Sequence, residues 1–246
     1  ILNYAPWLKN LTHYKAFVGG GATLDDILKG MTMQANDGMI ISSNSWGSNA
    51  GDPNSPDSKM AMQLASEGMI GVYAAGNAGS RPNTVGSPAI VVYKAAETSA
   101  PRVLAVAASD RDKRIAAFSS RGPGSRGTKS IPDYPQRPDL TAVGYQTDGA
   151  WVGGGLKAIS GTSMSTPAVA GLLAHLAALF GATTKGAKLD AIVNALMASL
   201  EKTGQGPDNE GQGFIAGMEA YNLLKETMQP VVPNFLARLT IKALAR

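Results

Sequence analysis

Apolar residues recur along the chain in two spacings, and segments of the two kinds alternate. Short apolar runs bounded by glycine or polar residues predict strands, at residues 14–18, 39–46, 69–74 and 102–108. Apolar residues three and four apart predict helices, at residues 23–31, 58–68, 167–180, 187–200 and 214–227. Strands that alternate with helices are typical of crossover units, so we predict an α/β fold, a parallel sheet with helices on both faces.

Two segments depart from this alternation. The stretch from residue 109 to Gly155 is rich in Gly, Pro and Ser, and we expect it to be irregular. From Thr162 onward, helices dominate the prediction. We place one domain at residues 1–229 and interpret residues 230–246, which stay apolar to the end, as a tail or the start of a following segment.

The strongest candidate for chemistry lies where the helical part begins, in the segment ISGTSMSTPAVAG at residues 159–171. Ser163 follows a glycine turn and precedes a helix whose start is marked by Thr166 and Pro167. A hydroxyl in this position meets the positive end of the helix, where unpaired N–H groups can stabilise a developing negative charge. The residues alone leave open whether Ser163 is a nucleophile or belongs to an ordinary helix cap.

A second candidate ends the strand predicted at residues 69–74. In the segment VYAAGNAG, Asn77 stands between Gly76 and Ala78, and its amide could donate a hydrogen bond to an oxyanion. An asparagine that merely accommodates a tight turn would give the same pattern.

These two segments, with others in the same order, resemble the subtilisin-like serine proteases over residues 11–224. The resemblance rests on GTSM-x-x-P-x-VAG around Ser163, on AGN ending at Asn77, and on SNSWG ending at Gly47, with further matches at residues 84–89, 118–123 and 137–144. It implies that Ser163 is the catalytic serine and that Asn77 is an oxyanion donor. It further implies that residues 118–123 are scaffold and that the side chain preceding the cleaved bond is flanked by Ser45, Trp46, Gly47, Ala74, Ala75 and Gly76.

The chain departs from the family pattern at two places. Ala168 stands where many relatives carry a histidine with a structural role, so the chemistry is not affected. Residues 90–100 resemble an insertion, which we expect to form a surface hairpin.

The general base and its orienting carboxylate are missing from the pattern. In the family an Asp-Thr/Ser-Gly segment and a His-Gly-Thr-His segment precede the serine, and neither occurs here. We expect the chain to begin just downstream of them, so that the N-terminal portion of the domain is absent. Of the two histidines, His175 lies about 18 Å along the predicted helix from Ser163 and is expected in the core, and His13 is expected to be a partly buried structural residue.

Composition limits the other possibilities. The 22 basic and 18 acidic residues give a net charge of +4 without a basic run, which does not favour nucleic acid as a partner. The absence of cysteine excludes disulfides, a thiol nucleophile and Cys-ligated zinc. No metal cluster is visible and the chemistry requires no cofactor, although the resemblance implies that structural calcium is possible. The longest apolar run, residues 168–182, is short for a membrane span and predicts a buried helix.

The sequence opens on Ile1 without a signal-peptide pattern, so we expect a processed or cut N-terminus; the resemblance implies an extracellular or cell-surface location. Three functions remain open. The first is an endopeptidase acting on polypeptides, with an N-terminal fragment that supplies the Asp and His. The second is a pseudoprotease or truncated form that binds peptides in the groove. The third is an unrelated α/β scaffold, which a structure lacking Ser163 at a strand-to-helix junction would favour.

Overall fold

The computed structural model describes residues 1, 4, 5, 8, 10–123 and 136–231. Its centre is a four-stranded sheet in the order β1-β2-β3-β4, in which every neighbouring pair is parallel. The strands are β1 (Ile41–Asn44), β2 (Ile70–Ala74), β3 (Val103–Ser109) and β4 (Leu140–Val143). A separate antiparallel hairpin follows, formed by β5 (Thr147–Ala150) and β6 (Leu156–Ile159).

Six helices lie in the described residues. They are α1 (Leu24–Asn36), α2 (Pro56–Ser66), α3 (Thr162–Phe180), α4 (Ala187–Ala198), α5 (Pro207–Glu210) and α6 (Gly217–Thr227). The local sequence determines where several of these helices begin or end. Thr23 and Asp26 form a reciprocal capping box at the start of α1, and Pro56 occupies the first turn of α2. Gly181 ends α3 in the left-handed conformation, at φ 67°.

The sheet separates two apolar cores. On one face, side chains of β2, β3 and β4, among them Val72, pack against α3, α4 and α6. On the other face, Tyr73 and neighbouring side chains pack against α1 and α2. Alternate residues of β2 therefore enter opposite cores, as expected for a strand covered on both sides. The predicted α/β fold with helices on both faces is confirmed.

Helix α3 runs beneath the whole sheet and contacts all four strands. By length and composition alone, this helix could also cross a membrane. Leu173, Leu176 and Phe180, however, are buried in the first core. The apolar run is thus a core helix, as predicted.

Three local predictions were wrong. Residues 14–18 are not a strand, because only an isolated bridge joins Val18 to Gly21. The stretch expected to be irregular, residues 109–155, contains β4 and β5. Helix α3 begins at Thr162, five residues before the proline that was expected to mark its start. Most of the predicted tail, residues 232–246, lies outside the described residues.

The insertion at residues 90–100 is only in part the surface hairpin that was expected: Lys94, Ala96, Glu97 and Ser99 are exposed around a turn, across which the Ala95 N–H donates to the Ala100 carbonyl at 2.9 Å. Its apolar residues Ile90, Val91, Ala95 and Ala100 are buried, and the first two belong to the second core. An isolated bridge from Lys94 to Pro101 is its only strand-like pairing among the described residues. The buried apolar side chains of the segment therefore belong to the packed interior, whereas its turn lies at the surface.

A buried ion pair ties this segment to α4. Asp190, 1% exposed, accepts two hydrogen bonds from the Arg102 guanidinium at 2.9 and 2.8 Å and one from the Thr98 hydroxyl at 2.9 Å. Replacing one partner of such a pair leaves the other charge buried and unpaired. We expect Asp190→Ala to lower the free energy of unfolding by about 3 kcal/mol, measured by urea denaturation.

The matched control is Asp25→Ala, which removes an exposed ion pair with Lys29 on α1. Exposed pairs of this kind contribute at most about 1 kcal/mol, and usually less. If the two substitutions lowered stability equally, the structural importance assigned to Asp190 would be wrong.

A second buried carboxylate makes stability depend on pH. Burial opposes ionisation of Glu210, but hydrogen bonds from the Thr203 hydroxyl and from the N–H groups of Thr203, Gln205 and Gly204 outweigh it and hold the pKa of Glu210 below its ordinary value of 4.5. A depressed folded-state pKa contributes stability that is present above pH 4.5 and is lost as the pH falls through the folded-state value.

We therefore expect thermal denaturation midpoints of the unaltered protein to fall more steeply below pH 4.5 than those of Glu210→Gln. Glu219→Gln, an exposed carboxylate on α6, is the control and should keep the steep dependence. Identical pH profiles for the unaltered protein and Glu210→Gln would contradict the assignment.

Candidate active site

Ser163 is the second residue of α3, so it lies at a loop-to-helix junction beside the carboxyl end of β1. Its hydroxyl donates to the Ser45 carbonyl at 3.0 Å, and the Ser45 hydroxyl donates to the Ser163 carbonyl at 2.9 Å. This reciprocal pair holds the start of the helix against the residue that follows β1. The position of Ser163 is therefore fixed by tertiary contacts and by the helix itself.

Pro167 explains why this pairing is possible. In a helix, the carbonyl of residue 163 would normally accept from the N–H of residue 167, but proline has no N–H. The Ser163 carbonyl is left without a helical donor, and the Ser45 hydroxyl satisfies it. The proline thus lies inside α3 rather than at its first turn, and its cost is offset by the hydrogen bond from Ser45, the residue that follows β1.

Asn77 is held by the same helix start. Its side-chain oxygen accepts from the Thr162 N–H at 2.9 Å and from the Thr162 hydroxyl at 3.0 Å, and the same hydroxyl accepts from the Gly76 N–H at 3.2 Å. These contacts fix the orientation of the amide, because its oxygen is fully used. The amide NH₂ has no partner among the described residues and remains available as a donor.

Two donors converge near Gly161. A Cβ placed on Gly161 would lie 3.4 Å from the Asn77 amide nitrogen and 3.6 Å from the Ser163 backbone nitrogen. The first N–H groups of a helix have no partner within the helix. A side-chain amide and a backbone N–H that lie close to one point are donors of the kind that oxyanion holes use.

The segment at residues 118–123, predicted to be scaffold, braces this loop. The Ser120 N–H donates to the Gly76 carbonyl at 2.9 Å, and the Ser120 hydroxyl accepts from the Ala78 N–H at 3.1 Å. Gly76 has φ 116°, and a Cβ there would lie 2.7 Å from the Ser120 hydroxyl. Both conformation and space therefore require glycine before Asn77.

A cleft of about 300 Å³ opens beside Ser163, where β1 and β2 end. Parallel sheets characteristically bind ligands at these carboxyl ends. The cleft is lined by Ser45, Trp46, Gly47, Ser48, Asn49, Ala74, Gly76, Asn77, Gly86, Thr162 and Ser163. Five of the six predicted pocket residues therefore lie together here with Ser163 and Asn77.

Ala75 is the predicted pocket residue that does not line the cleft. Its side chain is fully buried in the second core, and its carbonyl accepts from the Gly86 N–H at 2.9 Å. Gly86 does line the cleft and was missed by sequence reasoning. A Cβ on Gly86 would lie 2.7 Å from the Ser48 carbonyl. Glycine is therefore required where Ser87 pairs with Ser48, a residue far from it in sequence.

The described residues contain no base for Ser163. His13 is exposed rather than partly buried as expected, and no hydrogen bond joins it to another described residue. His175 lies on α3, twelve residues beyond Ser163, where burial lowers its pKa. The Ser163 hydroxyl donates to a neutral carbonyl instead. Ser163 and Asn77 therefore lie together in one cleft, but the described part of the chain supplies no proton acceptor for the Ser163 hydroxyl.

Metal ligands are not clustered either. Within residues 10–123 and 136–231 there is no group of three or more His, Cys, Asp or Glu that could hold a metal ion. The calcium implied by the family resemblance therefore has no ligands that can be assigned in the described structure.

Comparison with known proteins identifies the family. The model of the subtilase family matches residues 8–214. Pyrolysin from Pyrococcus furiosus is 34% identical over 192 residues, which cover 68% of this chain and 13% of pyrolysin. Alkaline protease 1 from Emericella nidulans is 32% identical over 208 residues, which cover 81% of this chain and 45% of that protein. The chain thus spans less than half the length of these two relatives.

Solved structures give the same fold. The prenylagaramide maturation protease PagA matches with a TM-score of 0.66 and 25% identity, over 86% of this chain and 71% of that one. The patellamide maturation protease PatA matches with a TM-score of 0.64 and 25% identity, over 83% and 70% of the two chains. With the family model covering most of the described residues, these findings show that the chain belongs to the subtilase family.

Proposed function

We propose that this chain supplies the nucleophile and the oxyanion hole of a serine endopeptidase, and that an N-terminal part of the protein supplies the catalytic Asp and His. The observation that carries the proposal is that the Asn77 amide nitrogen and the Ser163 backbone nitrogen both lie close to Gly161, while Asn77 and Ser163 line the same cleft of about 300 Å³. Membership of the subtilase family supports a peptidase reaction in general.

The reaction follows from these positions. The Ser163 hydroxyl leaves its hydrogen bond with the Ser45 carbonyl, passes its proton to the histidine, and the oxygen attacks the peptide carbonyl. The Asn77 amide and the Ser163 N–H stabilise the resulting oxyanion. The C–N bond then breaks, the amine leaves with the proton from histidine, and water hydrolyses the acyl-enzyme by the same route.

The substrate is a polypeptide whose residue preceding the cleaved bond enters the cleft. Its side chain lies between residues 45–47 and residues 74–76, with the Ala75 contribution limited to backbone positioning. Trp46, packed edge-on against Tyr73 at 6.2 Å between ring centroids, gives this pocket an apolar wall. We propose an extracellular or cell-surface location, in keeping with a protease of this family.

The alternative is a groove that binds peptides without cleaving them. The observation in its favour is that no titratable group in the described residues receives the Ser163 proton. The two functions differ in one measurable property. A peptidase hydrolyses a bound peptide once the upstream segment is present, whereas a pseudoprotease retains it intact.

The test compares hydrolysis of fluorescein-labelled casein by two proteins, this chain alone and the chain joined to its upstream segment. We expect the longer protein to cleave the substrate, and this chain alone to retain only about 10³–10⁴ over the rate in water, from the oxyanion hole and binding. Intact-mass measurement of both preparations establishes which polypeptides are present. No cleavage by the longer protein, despite measurable peptide binding, would favour the pseudoprotease.

A further inference from the structure

Asn77 stands on a loop that one buried residue holds on both sides. The Ser120 N–H donates to the carbonyl of Gly76, the residue before Asn77, at 2.9 Å. The Ser120 hydroxyl accepts from the N–H of Ala78, the residue after Asn77, at 3.1 Å. Asn77 itself is exposed, whereas Ser120 is fully buried. The amide proposed to stabilise the oxyanion therefore lies at the surface, on a backbone that is fixed from the interior.

The Ser120 side chain also fills the space beside this backbone. A Cβ placed on Gly76 would lie 2.7 Å from the Ser120 hydroxyl oxygen and 3.4 Å from the Ser120 Cβ. Such close packing leaves the loop little room to shift. Loss of the hydroxyl would deprive the Ala78 N–H of this acceptor and would open a space into which the loop can move.

Ser120 is a fixed point because its neighbours in sequence are bonded to other parts of the fold. The Phe118 carbonyl accepts from the Gly79 N–H at 2.9 Å. The Arg121 N–H donates to the Thr84 hydroxyl at 2.9 Å, and the Arg121 carbonyl accepts from the Thr84 N–H at 2.9 Å. The Arg121 guanidinium donates to the Asn209 side-chain oxygen at 2.9 Å. The segment around Ser120 can therefore resist a displacement of the Asn77 loop.

The contacts from Thr162 do not replace this support. They reach the Asn77 side-chain oxygen and the Gly76 N–H, so they hold the amide and the backbone before it. The backbone after Asn77 is held at Ala78 by Ser120. An oxyanion donor must lie about 3 Å from the developing charge, and a displacement of about 1 Å can lower a rate about 10²-fold. The position of the loop therefore matters as much as the orientation of the amide.

We propose that Ser120 is a positioning residue, which acts through Asn77 by keeping the amide aimed at the oxyanion. This inference rests on the proposed peptidase function and concerns kcat rather than substrate binding. The cleft wall before Asn77 is held by other bonds. The Ala75 N–H donates to the Val106 carbonyl at 3.0 Å, and the Ala75 carbonyl accepts from the Gly86 N–H at 2.9 Å. KM should therefore change little when Ser120 is altered.

The preceding residue provides a matched control. Ser119 is also fully buried, and its hydroxyl also accepts a backbone N–H at 3.1 Å, that of Ala108 in β3. Replacement by alanine removes the same kind of hydrogen bond at either serine. The bond lost at Ser120 holds the Asn77 loop, whereas the bond lost at Ser119 holds the sheet.

The test measures kcat and KM on a peptide p-nitroanilide, with the protein that carries its upstream segment. We expect Ser120→Ala to lower kcat by at least about tenfold, with KM within about threefold of the unaltered value. Ser119→Ala should lower kcat less than about threefold, because the oxyanion donor keeps its position. Thermal denaturation of both variants establishes that they are folded at the assay temperature.

A double-mutant cycle shows whether Ser120 acts through the amide. In an Asn77→Ala background, where no amide remains to be positioned, Ser120→Ala should lower kcat no further than Ser119→Ala does. Ser120→Cys is the variant to use if Ser120→Ala does not fold, since cysteine keeps the volume of the side chain but is a weak acceptor. We expect it to lower kcat as well, by a smaller factor.

The outcomes separate this inference from the proposed function. Equal kcat values for Ser120→Ala and Ser119→Ala would overturn the inference, as would the same fractional loss from Ser120→Ala with and without the Asn77 amide. If Ser120→Ala does not fold, full activity of Ser120→Cys would overturn it. Each of these results leaves the peptidase function standing. Failure of the unaltered protein to cleave the anilide would reject the peptidase function, and this inference with it.

Discussion

Ser163→Ala is expected to reduce kcat of the protein carrying its upstream segment by about 10⁶-fold, the loss found when subtilisin is deprived of its nucleophile. The reason is that no acyl-enzyme can form without the hydroxyl, and the histidine then has no proton to accept. Binding should persist, because the cleft is formed mostly by the ends of β1 and β2. The measurement is steady-state hydrolysis of a peptide p-nitroanilide, with peptide affinity determined separately by fluorescence anisotropy.

Ser160→Ala is the matched control. Ser160 is exposed and lies three residues before Ser163, and among the described residues its hydroxyl makes one hydrogen bond, which it accepts from the Gln146 N–H at 2.9 Å. We expect it to keep activity within severalfold of the unaltered protein. If Ser163→Ala retained activity comparable to Ser160→Ala, the assignment of the nucleophile would be wrong.

Asn77→Asp is expected to reduce kcat by at least about 10²–10³-fold, the effect of removing the equivalent donor from subtilisin, while KM changes little. Aspartate keeps an oxygen that can accept both hydrogen bonds from Thr162, so the loop remains anchored. The donating NH₂ is replaced by a second carboxylate oxygen, which repels the oxyanion. The substitution therefore separates the chemical contribution of the amide from its structural one.

The control for the added charge is Asn49→Asp, which places a carboxylate in the same cleft away from the Thr162 anchor. We expect a change in kcat of less than about tenfold, because an exposed charge is screened by water. Equal losses in the two variants would show that charge in the cleft, rather than loss of the donor, lowers the rate. A stability measurement by urea denaturation should show both variants folded.

The sequence predicted the central strands well because their signal is local. The runs at residues 69–74 and 102–108 are continuous apolar segments, and β2 and β3 are buried along their whole length. β4 was missed because it has only four residues and follows Pro138 and Asp139. The segment at residues 14–18 has the composition of a strand but finds no strand partner among the described residues.

The start of α3 could not be predicted from local rules. Pro167 is typical of a first helical turn, yet it lies at the sixth position because Ser45 satisfies the carbonyl that the proline leaves unpaired. That contact joins residues 118 positions apart. Long-range contacts of this kind are set by packing, and no pattern near the proline reports them.

The candidate site was predicted only in part, because some of its residues are positioned by long-range contacts. Ser163 and Asn77 lie in recognisable motifs, and the structure brings them to one cleft. The contribution of Thr162, which orients Asn77 across 85 residues of sequence, depends on how β2 and α3 meet. Ala75 is buried because successive residues of β2 and its extension point alternately into the two cores. The prediction missed this because it assigned all three residues of the segment 74–76 to the pocket.

The most direct test of the account is to treat the protein with a fluorophosphonate and to locate the adduct by peptide mass spectrometry, with and without the upstream segment. We predict stoichiometric modification of Ser163 when the segment is present, and little or none in this chain alone, because an unassisted serine hydroxyl reacts poorly. Modification of another serine, absence of any adduct in the longer protein, or equally rapid modification of Ser163 in this chain alone would contradict it.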